Sequence, residues 1–158
     1  MDEDYLVKIF VVYDTKYGNT KLVAEKIVDG IMEVEDMEIT ISDVEEVEIE
    51  NVADSDALLI GAPNHIGGPT RTIKKFIDKL GKLHLKTKWV AVFDTNLGGN
   101  QLDKAVKKME KRIGEKLPDL KLITSGLSIR VGGIKGPIVE GELSKCIDFG
   151  KIIANQLK

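Results

Sequence analysis

The sequence has few of the residues that cross-link a chain, bind metals or span membranes. It contains one cysteine, Cys146, so neither an internal disulfide nor a cysteine metal cluster can form within it. Its two histidines are far apart and have no ligand spacing around them, so they give no pattern of a metal site. The longest apolar run, residues 57–62, is much shorter than the ~18 residues of a membrane helix. We therefore expect no metal and no membrane partner.

The first residues also lack a secretion signal. Residues 1–4 are acidic and have neither the basic nor the apolar region of a signal peptide. Of the 158 residues, 42% are apolar and 31% are charged, which is typical of a globular protein with a sizeable core. This length predicts one domain over residues 1–158. We therefore expect a single-domain, cytoplasmic protein that is a monomer or a weak dimer.

Strand and helix patterns alternate along the chain. Buried or half-buried strands are predicted at residues 8–13, 37–41, 57–62 and 89–93, and a fifth within 120–131. Apolar residues at helical spacing predict helices around residues 24–31, 73–80, 102–109 and 143–157. This alternation predicts an α/β fold, a three-layer doubly wound five-stranded parallel sheet with right-handed crossovers. Residues 42–55 fit neither period.

Five residues refine these helix predictions. Thr70 and Asn100 are expected to cap the N-termini of the second and third helices. Gly81 and Gly114 are expected to end them. Cys146 lies on the apolar face of the last helix, where a small core residue is expected.

Ligands of such sheets bind beyond the carboxyl ends of the strands, which directs attention to residues 14–20, 63–69 and 94–100. The first of these loops places hydroxyls, Gly18 and Asn19 directly before a helix, which suits a phosphate. An ordinary turn capped by Thr20 is the competing interpretation. The loop has neither the spacing of a Walker loop nor the glycines of a dinucleotide fingerprint. The other two loops contain paired glycines, typical of ligand contact or of simple flexibility.

Together, these loops resemble those of the flavodoxin family. Residues 13–20 (YDTKYGNT) resemble its FMN phosphate loop, and residues 61–64 (GAPN) with 68–70 (GPT) resemble its second flavin loop. Residues 133–137 and 146–151 add to the likeness, which is greatest to A-type flavoproteins and free-standing archaeal flavodoxins. The resemblance implies strand order 2-1-3-4-5 and FMN as the cofactor.

The resemblance also implies where FMN would bind. The phosphate would be held by Thr15, Lys16, Tyr17, Gly18, Asn19 and Thr20. The ring would be flanked by Pro63, Asn64, His65, Ile66, Gly67 and Gly68, and by Asp94, Thr95, Asn96, Leu97, Gly98 and Gly99. Flavodoxins usually stack a Trp or Tyr on the ring, and neither flavin loop here contains one. His65, Ile66 and Leu97 are the nearest substitutes, although a solvated loop is an equally good interpretation of His65.

The resemblance implies an electron carrier between redox proteins, without catalytic residues of its own. An NAD(P)H-dependent FMN or quinone reductase of the same fold is the alternative. A phospho-acceptor receiver is a third, but it would end the third strand on an aspartate, where Ala62 and Pro63 stand.

The charge along the chain is uneven. Residues 33–56 include 11 acidic and no basic residues, whereas residues 71–121 include 14 basic and six acidic ones. The charged residues of these two segments either form solvated surfaces or produce an asymmetric electric field that orients a redox partner. A nucleic-acid partner is not expected, because the net charge is −3 and the basic helices lack interleaved aromatics.

Overall fold

A computed structural model describes residues 5–158 as strands alternating with helices. The strands are β1 (Lys8–Tyr13), β2 (Glu38–Asp43), β3 (Ala57–Pro63), β4 (Trp89–Asn96), β5 (Lys121–Leu122) and β6 (Leu127–Arg130). The helices are α1 (Asn19–Val34), α2 (Ile49–Ala53), α3 (Arg71–Leu80), α4 (Lys104–Lys116) and α5 (Glu142–Leu157). Residues 1–4, whose acidic composition is unlike that of a signal peptide, lie outside the described residues.

All paired strands of the sheet are parallel and run in the order β2-β1-β3-β4, with β5 and β6 both beside β4. This confirms the predicted α/β class and the strand order 2-1-3-4-5. The fifth strand predicted within residues 120–131 is present as two short pieces, β5 and β6, which share the position beside β4. Residues 123–126 separate β5 from β6 and lie opposite only residues 91 and 92 of β4. The two extra residues interrupt the pairing.

Alternating residues of the central strands pack on opposite faces of the sheet. Ile9, Val11, Leu59 and Phe93 belong to one apolar cluster, which contacts α1 and α5. The intervening residues, such as Val12, belong to a second cluster with α3 and α4. Strands buried on both faces explain the near-continuous apolar runs of the sequence.

The close contact of α1 with α5 depends on two glycines. A Cβ on Gly30 would lie 2.1 Å from the Ile147 carbonyl oxygen, and one on Gly150 would lie 2.0 Å from the Ile27 carbonyl oxygen. The two backbones therefore touch without side chains between them. Cys146 is fully buried beside this contact, as predicted, and burial raises the pKa of its thiol to about 12. This contact fixes the position of α1 on the sheet.

The predicted start of α3 is confirmed. The Thr70 hydroxyl accepts a hydrogen bond from the Ile73 N–H at 3.4 Å, and Gly81 follows the last helical residue. The predicted limits of α4 are wrong. Residues 99–101 form a 3-10 turn, so Asp103 rather than Asn100 precedes the helix, and Gly114 lies inside it. Within the unassigned segment 42–55, the structure has the end of β2 and the short α2.

The predicted third loop also begins too early. β4 continues to Asn96, so Asp94, Thr95 and Asn96 are strand residues and are all buried. Pro63 similarly ends β3 instead of starting the second loop. Polar strand ends of this kind bring chemical groups directly to the carboxyl edge of the sheet.

Candidate cofactor site

A half-open cleft of about 290 Å³ lies at the carboxyl edge of β1, β3 and β4. The loops after all three strands contribute to its lining. The lining residues are Thr15, Lys16, Tyr17, Asn19, Thr20, Pro63, Asn64, His65, Ile66, Thr95, Asn96, Leu97, Gln101, Val131 and Ile134. This volume is at the lower end of the ~300–1,000 Å³ of ligand pockets, which suits a ligand that is only partly enclosed.

The first loop leads into α1 without a side-chain cap. Gly18 occupies the N-cap position at φ 90°, and no side chain accepts a hydrogen bond from the first turn. The Gly18 N–H itself donates to the Thr15 hydroxyl at 2.9 Å. The first N–H groups of any helix lack intrahelical partners and carry partial positive charge. The uncapped start of α1, lined by Asn19 and Thr20 at the cleft, is therefore suited to an anion.

Thr20 and Thr95 join the first loop to β4. Their hydroxyl oxygens lie 2.9 Å apart, and both side chains are almost fully buried. Since both residues line the cleft, they fix the separation of α1 from β4 at that point. One hydroxyl donates to the other, so each pair member retains some hydrogen-bonding capacity toward the cleft.

The second loop contains a buried polar atom without a partner. The Asn64 N–H donates to the Thr95 carbonyl at 2.7 Å, whereas Asn64 Oδ1 is buried and has no hydrogen bond within residues 5–158. Leaving a buried acceptor unpaired typically costs about 1–3 kcal/mol. A ligand in the cleft that donates a hydrogen bond to Asn64 Oδ1 would remove this cost.

The tip of the same loop has an unusual backbone. Ile66 has φ 50° and is 92% exposed, and Gly67 follows at φ 76°. A β-branched residue rarely adopts positive φ, and here a hydrogen bond from the His65 N–H to the Gly68 carbonyl at 2.6 Å closes the loop. The tight turn therefore presents a large apolar side chain at the mouth of the cleft.

Hydrogen bonds to Asp94 anchor the third loop at the end of β4. The buried carboxylate of Asp94 accepts hydrogen bonds from the Val106 N–H, the Ser128 hydroxyl and the Asn96 amide, at 2.7–3.0 Å. Burial raises the pKa of Asp94, although these three hydrogen bonds partly oppose the shift. The carboxylate thus connects the end of β4 to β6 and to the first turn of α4. Asp94 does not line the cleft, and its predicted place beside the ring stays a prediction.

Asn96 and Gln101 shape the exposed part of this loop. Asn96 Oδ1 accepts from the Gly98 N–H at 2.8 Å, and Gln101 Oε1 accepts from the Leu97 N–H at 3.0 Å. Leu97 is left 46% exposed at the cleft. The hydrogen bonds to the Leu97 and Gly98 N–H groups therefore hold the Leu97 side chain beside the cleft.

The cleft brings together most of the residues predicted to bind the cofactor. Besides Asp94, five glycines of the predicted set lie in the three loops without lining the cleft: Gly18, Gly67, Gly68, Gly98 and Gly99. Four of these have positive φ, so they shape the loops through their backbone. Three lining residues were not predicted: Gln101, Val131 and Ile134. The GIKGP segment at residues 133–137, which contributed to the family resemblance, was a signal for Ile134.

The family described as "Flavodoxin domain" matches residues 10–131, a range that includes every residue lining the cleft except Ile134. The chain belongs to the flavodoxin family. A flavodoxin of Aquifex aeolicus is 37% identical over 71 residues, 45% of this chain. The chain spans 38% and 56% of the lengths of two curated flavodoxins that it matches.

Solved structures agree on the flavodoxin fold. A flavodoxin from the domain Archaea superposes with a TM-score of 0.80 and 22% identity, covering 95% of this chain and 98% of that one. The rubredoxin oxygen:oxidoreductase of Desulfovibrio gigas superposes with a TM-score of 0.77 and 12% identity, covering 94% of this chain and 35% of that one. Both resemblances match those predicted from the loops.

Flavodoxins bind FMN as their cofactor. The cleft of this flavodoxin fits such a group on two independent observations, the uncapped α1 terminus for a phosphate and the unpartnered Asn64 Oδ1 for a donor. Among residues 5–158, no helix is both long and apolar enough to cross a bilayer.

Proposed function

We propose that this flavodoxin holds FMN in the cleft and carries electrons between redox proteins. The observation that carries the proposal is the uncapped N-terminus of α1 at a cleft that also contains an unsatisfied acceptor. FMN supplies the redox chemistry when bound, since it accepts and releases one or two electrons. The protein's part is to bind it, orient it and control its surroundings. We also propose that the chain acts as a single cytoplasmic domain.

In this proposal, the phosphate lies on the first loop. The N–H groups at the start of α1 and the hydroxyls of Thr15 and Thr20 would donate to it. Lys16 adds positive charge at the same loop, where its Nζ lies 5.6 Å from the centre of the Tyr17 ring. A charge-assisted hydrogen bond is about twice as strong as a neutral one, so this loop would supply much of the affinity.

The ring would lie between the second and third loops. Asn64 Oδ1 would accept a hydrogen bond from the ring system, while Ile66 and Leu97 would contribute apolar contact. His65 also lines the cleft and its contact with the ring stays a prediction. Without an aromatic in these loops, the ring would bind through area burial rather than stacking.

The identity of the cofactor is tested by releasing it. Acid treatment of the purified protein should yield FMN by mass spectrometry, and apoprotein should recover a flavin spectrum on adding FMN. FAD is not expected, because the first loop closes directly on α1 and leaves no dinucleotide fingerprint. Release of FAD, or failure of the apoprotein to bind FMN, would contradict the proposal.

The carrier function is tested against the reductase alternative. The reduced holoprotein should transfer electrons rapidly to a second redox protein. In contrast, the holoprotein with NADH or NADPH and a quinone should show no steady oxidation of the nicotinamide. Steady oxidation at a rate that depends on the protein would favour the NAD(P)H-dependent reductase.

A further inference from the structure

Four large apolar side chains are exposed around the mouth of the cleft, and we call them the rim. They are Tyr17, Ile66, Leu97 and Ile134, with 43%, 92%, 46% and 75% of their surfaces exposed. All four also line the cleft, so they form one patch rather than scattered residues. A ligand in the cleft would cover only those parts of the four side chains that face the cleft. Contiguous apolar surface of this kind marks an interaction site.

Each loop that carries the rim is also contacted by a cationic side chain. The Nζ atoms of Lys16 and Lys135 lie 5.6 and 5.9 Å from the centre of the Tyr17 ring. In the second loop, a Cβ on Gly68 would lie 3.1 Å from Lys108 Cδ, so the lysine stem packs against that loop. In the third loop, a Cβ on Gly98 would lie 2.8 Å from Arg130 Cδ. A cationic side chain therefore lies next to each of the three loops, and Lys135 follows Ile134 directly in the chain.

Most of this charge is not neutralised by neighbouring carboxylates. Within residues 5–158, no carboxylate oxygen lies within 4.0 Å of the Nζ of Lys16, Lys108 or Lys135. Arg130 does approach Glu142, with Nε 3.8 Å from Oε1, but Lys145 shares that buried carboxylate. The three lysines are exposed and available to a partner.

Several acidic groups of the same edge are buried, hydrogen-bonded or at one side of the sheet, whereas Glu140 is exposed a few residues after Lys135. Asp94 lies fully buried below the third loop, and Asp14 accepts the Thr70 hydroxyl at 2.6 Å. The exposed acidic residues after β2, around Glu45 and Glu46, lie beyond β1 at the edge strand of the sheet. Asp103 is also close to the end of β4, because its charge contributes to the raised pKa of Asp94. The phosphate of a bound FMN would offset part of the charge of Lys16 and Lys135 beside the first loop, but not that of Lys108.

We infer that the rim is the docking surface of an acidic redox protein, one that presents a small apolar contact surrounded by carboxylates. This inference rests on the proposed function, since it supplies the chemistry of the partner. Opposite charges would orient the partner and accelerate its approach. The rim would then pack against the apolar contact of the partner, next to the cleft. A nucleic acid suits the surface less well, because only Tyr17 offers an aromatic face to stack on.

The experiment uses one electron acceptor in two charge states. Native cytochrome c is basic, and cytochrome c with succinylated lysines is acidic, while the haem is the same. The holoprotein is reduced without oxygen and mixed with each acceptor in a stopped-flow instrument. The rate with the succinylated acceptor should fall as salt rises from about 10 to 300 mM, because a Debye length shrinks from ~30 Å to under 10 Å. The rate with native cytochrome c should not fall.

Two matched variants locate the effect. Lys108→Glu combined with Lys135→Glu reverses the charge at the rim, and Lys82→Glu combined with Lys86→Glu makes the same change in net charge at the opposite edge of the sheet. At low salt, the rim variant should react with the succinylated acceptor at least about tenfold more slowly, within the range of electrostatic steering. The control variant should react nearly as the parent does. Equal effects of the two variants would overturn the inference.

A binding measurement separates this inference from the proposed function. The oxidised protein is titrated calorimetrically with oxidised succinylated cytochrome c, so no electrons move and no flavin is needed. Binding should be seen with the parent and the control variant and be lost with the rim variant. If the protein binds no FMN yet binds the acidic cytochrome through the rim, the proposed function fails and the docking surface stands. Preference for native cytochrome c, or stronger competition for the rim by duplex DNA at equal salt, would overturn the docking surface.

Discussion

The hydroxyl oxygens of Thr20 and Thr95 lie 2.9 Å apart and connect the first turn of α1 to the end of β4. The two residues are 75 positions apart in the sequence, and both line the cleft. Thr20 therefore has two tasks in the proposed holoprotein, to donate toward the phosphate and to hold α1 against the sheet. The two tasks can be measured separately.

Thr20→Ala should weaken FMN binding by roughly ten- to a hundredfold, because a hydrogen bond to a charged group contributes about 1.5–3 kcal/mol. It should also lower the free energy of unfolding of the apoprotein by about 1–3 kcal/mol, since the Thr95 hydroxyl loses its buried partner. Fluorescence titration with FMN gives the first quantity and urea unfolding gives the second. Unchanged FMN affinity would remove the Thr20 hydroxyl from the phosphate site.

Leu97→Trp should tighten FMN binding several-fold and quench flavin fluorescence. An aromatic on the ring adds about 0.5–1.5 kcal/mol beyond area burial, and Leu97 is already held beside the cleft. The gain should be seen mainly as slower dissociation of FMN. Leu122→Trp, at an exposed position of β5, is the control and should leave binding unchanged. Weaker binding by the Leu97 variant would mean that this side chain points away from the ring.

Two glycine-to-alanine changes in helices should have opposite effects. Gly150→Ala places a Cβ 2.0 Å from the Ile27 carbonyl oxygen, so α5 must move away from α1, at a cost of about 1–3 kcal/mol or more. Gly114→Ala places a Cβ in open space within α4, where alanine is favoured by about 0.5–1 kcal/mol. Urea unfolding of both variants measures these differences. A stable Gly150→Ala protein would show that the two helices are not in backbone contact.

The stability of Asp94→Asn relative to the parent should depend on pH. Because burial raises the pKa of Asp94, its charged form is disfavoured by folding, and this penalty is present above the folded pKa. As pH falls from neutral toward the ordinary value of 3.8, the parent should therefore gain stability relative to the variant. Asp78→Asn is the control with the opposite sign.

The Arg112 guanidinium donates two hydrogen bonds to Asp78, at 2.6 and 2.8 Å, and lowers the pKa of that carboxyl. The stability that the pair contributes is present above 3.8 and is lost as pH falls through the lower, folded pKa. The parent should therefore lose stability relative to Asp78→Asn over that acidic range. Unfolding measured in urea at a series of pH values checks both variants. Parallel curves for the two variants would contradict the assigned pKa directions.

The apolar strands could be predicted from the sequence because their own side chains determine their burial. β1 has the predicted bounds, and β3 starts where predicted. The end of β4 could not, because Asp94 and Asn96 are buried only through partners from distant segments, such as Ser128. The sequence around an aspartate does not indicate whether it lies at a buried strand end or in a surface loop.

Prediction of the cleft was similarly limited. The loops after the strands were found because the carboxyl edge of a parallel sheet is where ligands bind. Val131 and Ile134 were missed because their place depends on the route of the chain after β6, which no spacing indicates. The break between β5 and β6 was missed for the same reason, since two extra residues do not alter an apolar pattern.

The backbone contact between α1 and α5 has a consequence for the biosynthesis of the protein. The candidate anion site begins at Asn19, but α1 completes its packing only against α5, residues 142–157, which lies much later in the chain. Until α5 has been synthesised, the face of the sheet that α1 and α5 share is only partly covered. We therefore expect stable FMN binding only after α5 has been made, and we expect the nascent chain to need other means to keep that apolar face from aggregating.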